Sequence, residues 1–197
     1  MIKHLKRSLP WSSKISLLTL GLAIVFSIFS TVFIDGATLF FSLVIVFSFI
    51  LIGIIADTVG MAAATANESY FHAMASKKIS GAKEAAYISK NAPVFSSFFN
   101  DVVGDISGII SGSASTAVVF QMVKLLQSEE GSFLFFFITV LLTSIVAALT
   151  VGGKAVCKSI AIYQSSNIIL YTGKCLYFIM RIYYLFSTKK IKRKKFY

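Results

Sequence analysis

Four long apolar stretches dominate the pattern of hydrophobic and polar residues along the chain. The first, residues 15–34, and the fourth, residues 133–151, contain no charged residue. The second covers residues 38–64, and the third opens at Pro93 and is rich in small and polar residues. A helix of about 20 predominantly apolar residues crosses the roughly 30 Å hydrocarbon core of a bilayer. The pattern therefore predicts an all-α membrane protein with four transmembrane helices.

The polar segments between these stretches predict short connections and helices at the membrane face. Residues 35–37 are expected to form a turn, and residues 124–132 a polar loop. Residues 67–91 place apolar side chains at roughly helical spacing among lysines and glutamates, which is typical of amphipathic juxtamembrane helices. We expect a break in this segment near Ser80 and Gly81.

The C-terminal part of the chain predicts helices that lie at the interface. Gly152 and Gly153 are expected to end the fourth span. Residues 154–186 then alternate apolar and polar positions and carry several tyrosines, which favour the boundary between water and lipid. An interfacial helix or helix pair is the first interpretation. A fifth span over residues 168–186 is the alternative, although a lysine and an arginine inside it argue against a deep crossing.

Composition and charge support a membrane protein. Hydrophobic residues make up 56% of the chain, and charged residues make up 14%, against about 25% in typical soluble domains. The formal net charge is +11, and the positive residues collect beside apolar stretches, at residues 1–14 and 189–195. Such residues attract anionic lipid heads by roughly 1 kcal/mol each. The predicted partner is therefore the bilayer with its anionic lipids, and nucleic acid is disfavoured.

The placement of the charges predicts the topology. A cleaved signal peptide at the N-terminus is disfavoured, because the first apolar stretch is long and no small-residue cleavage site follows it. Residues 67–91 contain four lysines, whereas the opposite connections carry Asp35, Glu129 and Glu130. The positive-inside rule then places both termini and the long loop in the cytoplasm. We expect a multi-pass protein of the plasma membrane.

Three acidic residues within the spans are the candidate chemistry. Asp101 and Asp105 lie four residues apart and share one face of a helix. An ionised carboxylate in hydrocarbon costs at least about 2.5 kcal/mol, so such groups normally face the bundle interior. Carboxylate, amide and hydroxyl oxygens are the ligands of hard cations such as Mg²⁺. The sequence predicts a metal site from Asp57, Asn100, Asp101, Asp105, Ser107 and Ser111, with Thr58 as a further oxygen donor. For Asp101, a helix cap is an equal alternative.

A row of small residues follows these acids. Gly104, Gly108 and Gly112 form a GxxxGxxxG pattern, which lets two helices approach closely and favours a homodimer. No nucleotide-binding loop, metalloprotease motif or nucleophile–base arrangement is present in the sequence. Two cysteines, without a CxxC partner, give neither a metal nor a disulfide framework. Nothing in the sequence indicates an enzyme or a bound organic cofactor.

The order of three segments resembles a known family. An amphipathic segment, residues 71–91, follows an apolar helix, and the next helix opens on NDVVGDI at residues 100–106. GKAVCK, residues 153–158, stands where the family has Gly-Glu-x-x-Pro-Lys. Over about residues 52–186 the chain resembles the transmembrane domain of the CNNM/CorC family of magnesium-linked transport proteins. The resemblance implies divalent-cation transport or homeostasis, with Mg²⁺ as the ion.

The resemblance also implies how the chain is divided. Residues 38–188 would form a CNNM-type transmembrane domain. Residues 1–37 would add a basic N-terminus and one extra span, and residues 189–197 a basic cytoplasmic tail. The sequence shows no counterpart of the regulatory CBS domains that are common in the family.

The chain departs from the family at the motif that should hold the cation. Lys154 replaces the family glutamate and Cys157 replaces the proline, whereas Lys158 matches the family lysine. Asn100 is the best matched ligand, and Lys154 would repel a cation. Either the acids of the second and third spans have taken over the site, or the site is lost. In the second case the chain would be a non-transporting scaffold that dimerises through its glycine-rich helix.

Overall fold

The computed structural model describes residues 2–34, 37–127 and 131–193. Within these ranges the ordered elements are all helical and no strand is present. The helices are α1 (Ile2–Ile34), α2 (Leu39–Thr65), α3 (Glu68–Ser76), α4 (Ala82–Lys90), α5 (Ala92–Ser97), a π-helical turn (Phe98–Gly104), α6 (Asp105–Leu125), α7 (Phe133–Tyr163) and α8 (Ser165–Arg193).

The prediction of four membrane-spanning helices is confirmed in length and composition. In the described part of the chain the helical stretches long and apolar enough to cross a bilayer are Ser12–Val32, Leu39–Thr65, Ala92–Leu125 and Phe133–Tyr163. They fit a multi-pass membrane protein. Within the residues that the structure describes, the alternative fifth span over residues 168–186 is not one of these stretches.

The prediction that Gly152 and Gly153 end the helix of the fourth span is wrong. Instead of stopping at Gly152 and Gly153, α7 runs through both glycines to Tyr163. A glycine inside a helix costs about 1 kcal/mol relative to alanine but does not break it. A Cβ atom at Gly153 would overlap Cδ1 of Ile54 on α2. The glycine therefore permits a close approach of two helices and is not a stop signal.

The other predicted boundaries agree more closely. The second span was expected at residues 38–64 and is found at Leu39–Thr65. The amphipathic segment forms α3 and α4, and the break between them contains Lys78 and Gly81 in left-handed backbone conformations. The first apolar span, expected at residues 15–34, is found at Ser12–Val32 within the longer helix α1.

Some predicted segments lie partly outside the described residues. These are positions 35 and 36 of the predicted turn, positions 128–130 of the polar loop with its two glutamates, and positions 194–197 of the basic tail.

The third span changes its helical geometry near its start. Pro93 lies in the first turn of α5, where a missing N–H is tolerated. The π-helical turn Phe98–Gly104 follows, and α6 completes the span. Within this part of the span, the Ser97 hydroxyl donates a hydrogen bond of 2.6 Å to Oδ2 of Asp101. Single π-helical turns are frequent at functional sites.

The first of two compact units comprises Met1–Thr58 and Ser97–Cys157. α1 packs along the π-helical turn and α6, where Val102, Ile106 and Ile110 form a buried cluster. A second cluster joins α2 to α6, with Val46 and Val118 at its centre. The packing of apolar helix faces therefore holds the spans of this unit together.

The second unit comprises Val59–Ser96 and Lys158–Tyr197. Its core is rich in alanine around the larger side chains Phe71, Ile88 and Ile169. A Cβ atom at Gly81 would lie 2.6 Å from the Lys174 backbone nitrogen, and one at Gly173 would lie 2.8 Å from that of Ala85. The two glycines therefore allow α4 and α8 to pack with their backbones almost in contact.

Candidate functional site

A buried pair of opposite charges lies between two of the spans of the first unit. Asp57 on α2 is 3% exposed. Its Oδ2 atom lies 3.4 Å from Nζ of Lys154 on α7, and the two side chains are 5% and 19% exposed. A buried carboxylate is tolerated only when a partner compensates its charge. Lys154 provides that compensation within a bundle of apolar helices.

Glycines bring the neighbouring helices close to this pair. A Cβ atom at Gly104, the last residue of the π-helical turn, would overlap Oδ1 of Asp57. A Cβ atom at Gly53, one turn before Asp57, would lie 3.2 Å from Cβ of Ser107. On the α7 side, Gly153 approaches Ile54 in the same way. The carboxylate of Asp57 therefore packs closely against the π-helical turn at Gly104.

The position of the pair along its helices sets its depth in the membrane. With a rise of 1.5 Å per residue, Asp57 lies about 27 Å from the first residue of α2, and Lys154 lies about 32 Å from the first residue of α7. The hydrocarbon core is roughly 30 Å thick. Both charges therefore lie in the C-terminal half of a helical stretch that is long enough to cross this core.

The other two predicted acids differ from Asp57 in their environment. Asp101 and Asp105 are both exposed, and Asp101 accepts the hydrogen bond from Ser97. Among the described residues, no group of three or more His, Cys, Asp or Glu side chains is placed to hold a metal ion. A shared pocket of the three carboxylates, as expected from the sequence, is therefore not found.

The neutral oxygen donors of the predicted site lie on buried parts of the helices. Ser107 and Ser111 are 4% and 1% exposed. Their hydroxyls donate to Val103 O at 2.7 Å and to Gly108 O at 2.9 Å. The Thr58 hydroxyl donates to Ile54 O at 2.7 Å, and the Oδ1 atom of Asn100 is also buried. Because each hydroxyl donates its proton to a backbone carbonyl of its own helix, its oxygen keeps lone pairs that can accept a further contact.

The glycine row is divided between two environments. Gly104 is buried against Asp57, as described above. At Gly108 and Gly112, no described atom beyond the local helix backbone lies within 4 Å of the Cβ position. Within one chain, only the first glycine of the row therefore serves close helix packing.

Sequence reasoning missed the role of Lys154. The resemblance identifies Lys154 as a departure from a family motif that would repel a cation, and it does not predict the pairing with Asp57. A signal was available, because Asp57 is the one acid in the sequence of α2 and Lys154 is the first charged residue of α7. The two lie at similar distances from the starts of their helices, and opposite charges at similar depth in apolar helices favour pairing.

Comparisons with known proteins identify no relative of this chain. No protein-family model, curated protein or solved structure matches the chain. The similarity to the CNNM/CorC transmembrane domain therefore stays a prediction from the sequence, and the geometry of the site carries the functional inference.

Proposed function

We propose that this protein transports a divalent cation across a membrane, with Asp57 as the carboxylate that receives the ion. Lys154 is the built-in counter-charge that occupies this carboxylate when no cation is bound. The observation that supports the proposal is the buried pair of Asp57 and Lys154. Buried ion pairs contribute little net stability, whereas ionisable residues inside membrane spans commonly mark ion pathways.

The two side chains differ in a way that suits an exchange of cations. The carboxylate of Asp57 is fixed on a short side chain beside Gly104. The ammonium of Lys154 is more exposed and sits on a flexible stem of four carbons, which can carry the charge to nearby water. A cation that enters at Asp57 replaces the ammonium, and Lys154 returns when the cation leaves.

The ligands present suit a hard cation that keeps part of its water shell. Mg²⁺ is commonly bound through one or two carboxylates and retains several waters. Asp57 supplies one carboxylate, and Ser107, about one turn beyond Gly104 on the neighbouring helix, offers a buried hydroxyl oxygen as a neutral donor. In the proposed topology both termini are cytoplasmic, the membrane is the plasma membrane, and the pair lies near the cytoplasmic boundary.

Replacing Lys154 with glutamine is expected to strengthen the binding of Mg²⁺ by about tenfold or more. Two unit charges 4 Å apart interact by roughly 4 kcal/mol at an effective dielectric constant of 20, and a tenfold change corresponds to about 1.4 kcal/mol. The melting temperature of purified protein in detergent, measured against Mg²⁺ concentration, reports this affinity because a ligand that binds the native state stabilises it. Tracer uptake into liposomes should saturate at correspondingly lower Mg²⁺.

Lys158, one turn further along α7, offers the matched control. The Lys158→Gln variant removes the same charge and is expected to leave the Mg²⁺ dependence unchanged. If Lys154→Gln and Lys158→Gln respond to Mg²⁺ in the same way, Lys154 does not compete for the site.

A second candidate function is self-association as a membrane scaffold. The observation that favours it is the open surface at Gly108 and Gly112 on α6. Small residues at this spacing let a helix of another copy approach closely.

Replacing Gly108 with leucine is expected to convert a dimer to a monomer, because the larger side chain blocks the close approach of two helices. The mass of the particles in detergent, measured by light scattering, checks this expectation. Gly21→Leu is the control, since a Cβ at Gly21 on α1 also meets no described atom within 4 Å. A dimer that persists in Gly108→Leu excludes this interface.

A further inference from the structure

An apolar groove lies at the opposite end of the first unit from the charge pair. It lies between the first residue of α2, the last turn of α6 and the early turns of α7, and its volume is about 380 Å³. This volume falls within the range of about 300–1,000 Å³ that is typical of small-molecule sites. Its lining is wholly apolar: Leu39, Met122, Leu125, Leu126, Phe137, Ile138, Leu141 and Leu142.

A second cavity of about 470 Å³, lined by both apolar and polar residues, adjoins this groove and shares Leu39 and Leu125 with it. Its polar lining residues are Thr38, Gln121 and Lys124. The amide of Gln121 is held in place, because its Oε1 accepts a 3.0 Å hydrogen bond from Ser42 and its Nε2 donates to Ile34 O at 3.4 Å. The exposed Lys124 lies in the last turn of α6.

We infer that this composite site binds one phospholipid, with an acyl chain in the apolar groove and the phosphate beside Lys124. The commitment to a phospholipid follows from charge complementarity. An apolar groove that adjoins one cation and one fixed amide matches the tail and head of an amphiphile. A helix of a partner protein would leave the cation without a matching group. The lipid would lie at the end of the bundle away from Asp57, so this inference does not depend on the transport proposal.

The physical basis of retention is specific to a membrane. Lipid tails are as apolar as the leucines that line the groove, so the hydrophobic effect does not favour one lipid position over another. Selection must come from close packing of the acyl chain and from the attraction between Lys124 and the phosphate. A lipid held by both should stay bound when detergent removes the surrounding bilayer.

Native mass spectrometry of the full chain in mild detergent, titrated with phosphatidylglycerol, tests this inference. We expect one lipid per chain. Leu141→Trp should reduce the bound fraction at least tenfold, because the indole fills the groove. Val140→Trp is the matched control, since Val140 neighbours Leu141 on α7, is equally exposed at 47% and does not line the groove. Its lipid adduct should match that of the wild type.

A second variant distinguishes the contribution of the lipid headgroup to binding from that of the acyl chain. Lys124→Gln is an exposed substitution that does not disturb the core, and it should weaken phosphatidylglycerol binding about fivefold. The same variant should leave the binding of diacylglycerol, which lacks the phosphate, unchanged. The inference is overturned by equal lipid loss in the two tryptophan variants, by lipid binding that is indifferent to Lys124→Gln, or by a second copy of the chain in place of the lipid adduct.

Discussion

Replacing Asp57 with alanine is expected to lower the free energy of unfolding by about 3–5 kcal/mol, because it leaves the ammonium of Lys154 without its buried partner. The lower end of this range is favoured, since the Lys154 side chain is 19% exposed and can turn toward water. Unfolding by denaturant in detergent micelles measures this change. Mg²⁺ flux in liposomes should fall to background in the same variant, because the receiving carboxylate is gone.

A double variant separates stability from transport. Asp57→Ala combined with Lys154→Met removes both charges, and apolar replacement of a whole buried pair is often neutral. Stability should return to within about 1 kcal/mol of wild type, while flux stays at background. Asp105→Ala serves as the control, because Asp105 is exposed on α6 and should change stability by no more than about 0.5 kcal/mol.

Stability and flux in these variants distinguish an ion-handling role of the Asp57–Lys154 pair from a purely structural one. Recovery of both stability and flux in the double variant would mean that the pair has no part in ion handling. Equal flux for the wild type and for a variant that lacks both Asp57 and Asp105 would exclude the carboxylates from the transport pathway altogether.

Replacing Gly104 with alanine is expected to destabilise the protein by about 1–3 kcal/mol, the usual cost of overpacking. The new methyl group would overlap Oδ1 of Asp57, so either the carboxylate or the helix must move. Because the carboxylate is also paired with Lys154, its freedom to move is small. Thermal and denaturant unfolding in detergent measure the change, and Mg²⁺ flux should fall with it.

Gly112→Ala is the matched control from the same glycine row. No described atom beyond the local helix lies within 4 Å of its Cβ position. Alanine there should therefore stabilise α6 by up to about 1 kcal/mol through helix propensity alone. The two substitutions are chemically identical and are expected to differ in sign. A Gly104→Ala variant as stable as Gly112→Ala would show that α2 and the π-helical turn do not approach closely.

Much of the fold could be predicted because the length of an apolar stretch is a local property of the sequence. The span at Leu39–Thr65 and the division of the amphipathic segment into α3 and α4 are read from consecutive residues. The end of α7 could not be predicted from consecutive residues. Gly152 and Gly153 look like a stop signal locally, and only the contact between Gly153 and Ile54 on another helix reveals that the helix continues.

The candidate site could be predicted only in part. Asp57 stands out because it interrupts an apolar stretch, and burial confirms that it faces the interior. The spacing of Asp101 and Asp105 places them on one face of a helix, but spacing does not say which face the neighbouring helices cover. α1 and α2 cover the face that carries Val102 and Ile106, so the two carboxylates remain exposed.

The π-helical turn at Phe98–Gly104 has a consequence for the phase of the third span. A π turn contains roughly one residue more than an α turn. The residues of α5 are therefore offset by one helical position relative to those of α6. If the same residues were wound as a regular α-helix, the preceding segment would rotate by about 100° relative to α6. Gly104 would keep its place under Asp57, while the apolar faces of α5 would point in a new direction. The extra residue of the π-helical turn thus allows the faces of α5 and of α6 to point in directions that are independent of each other.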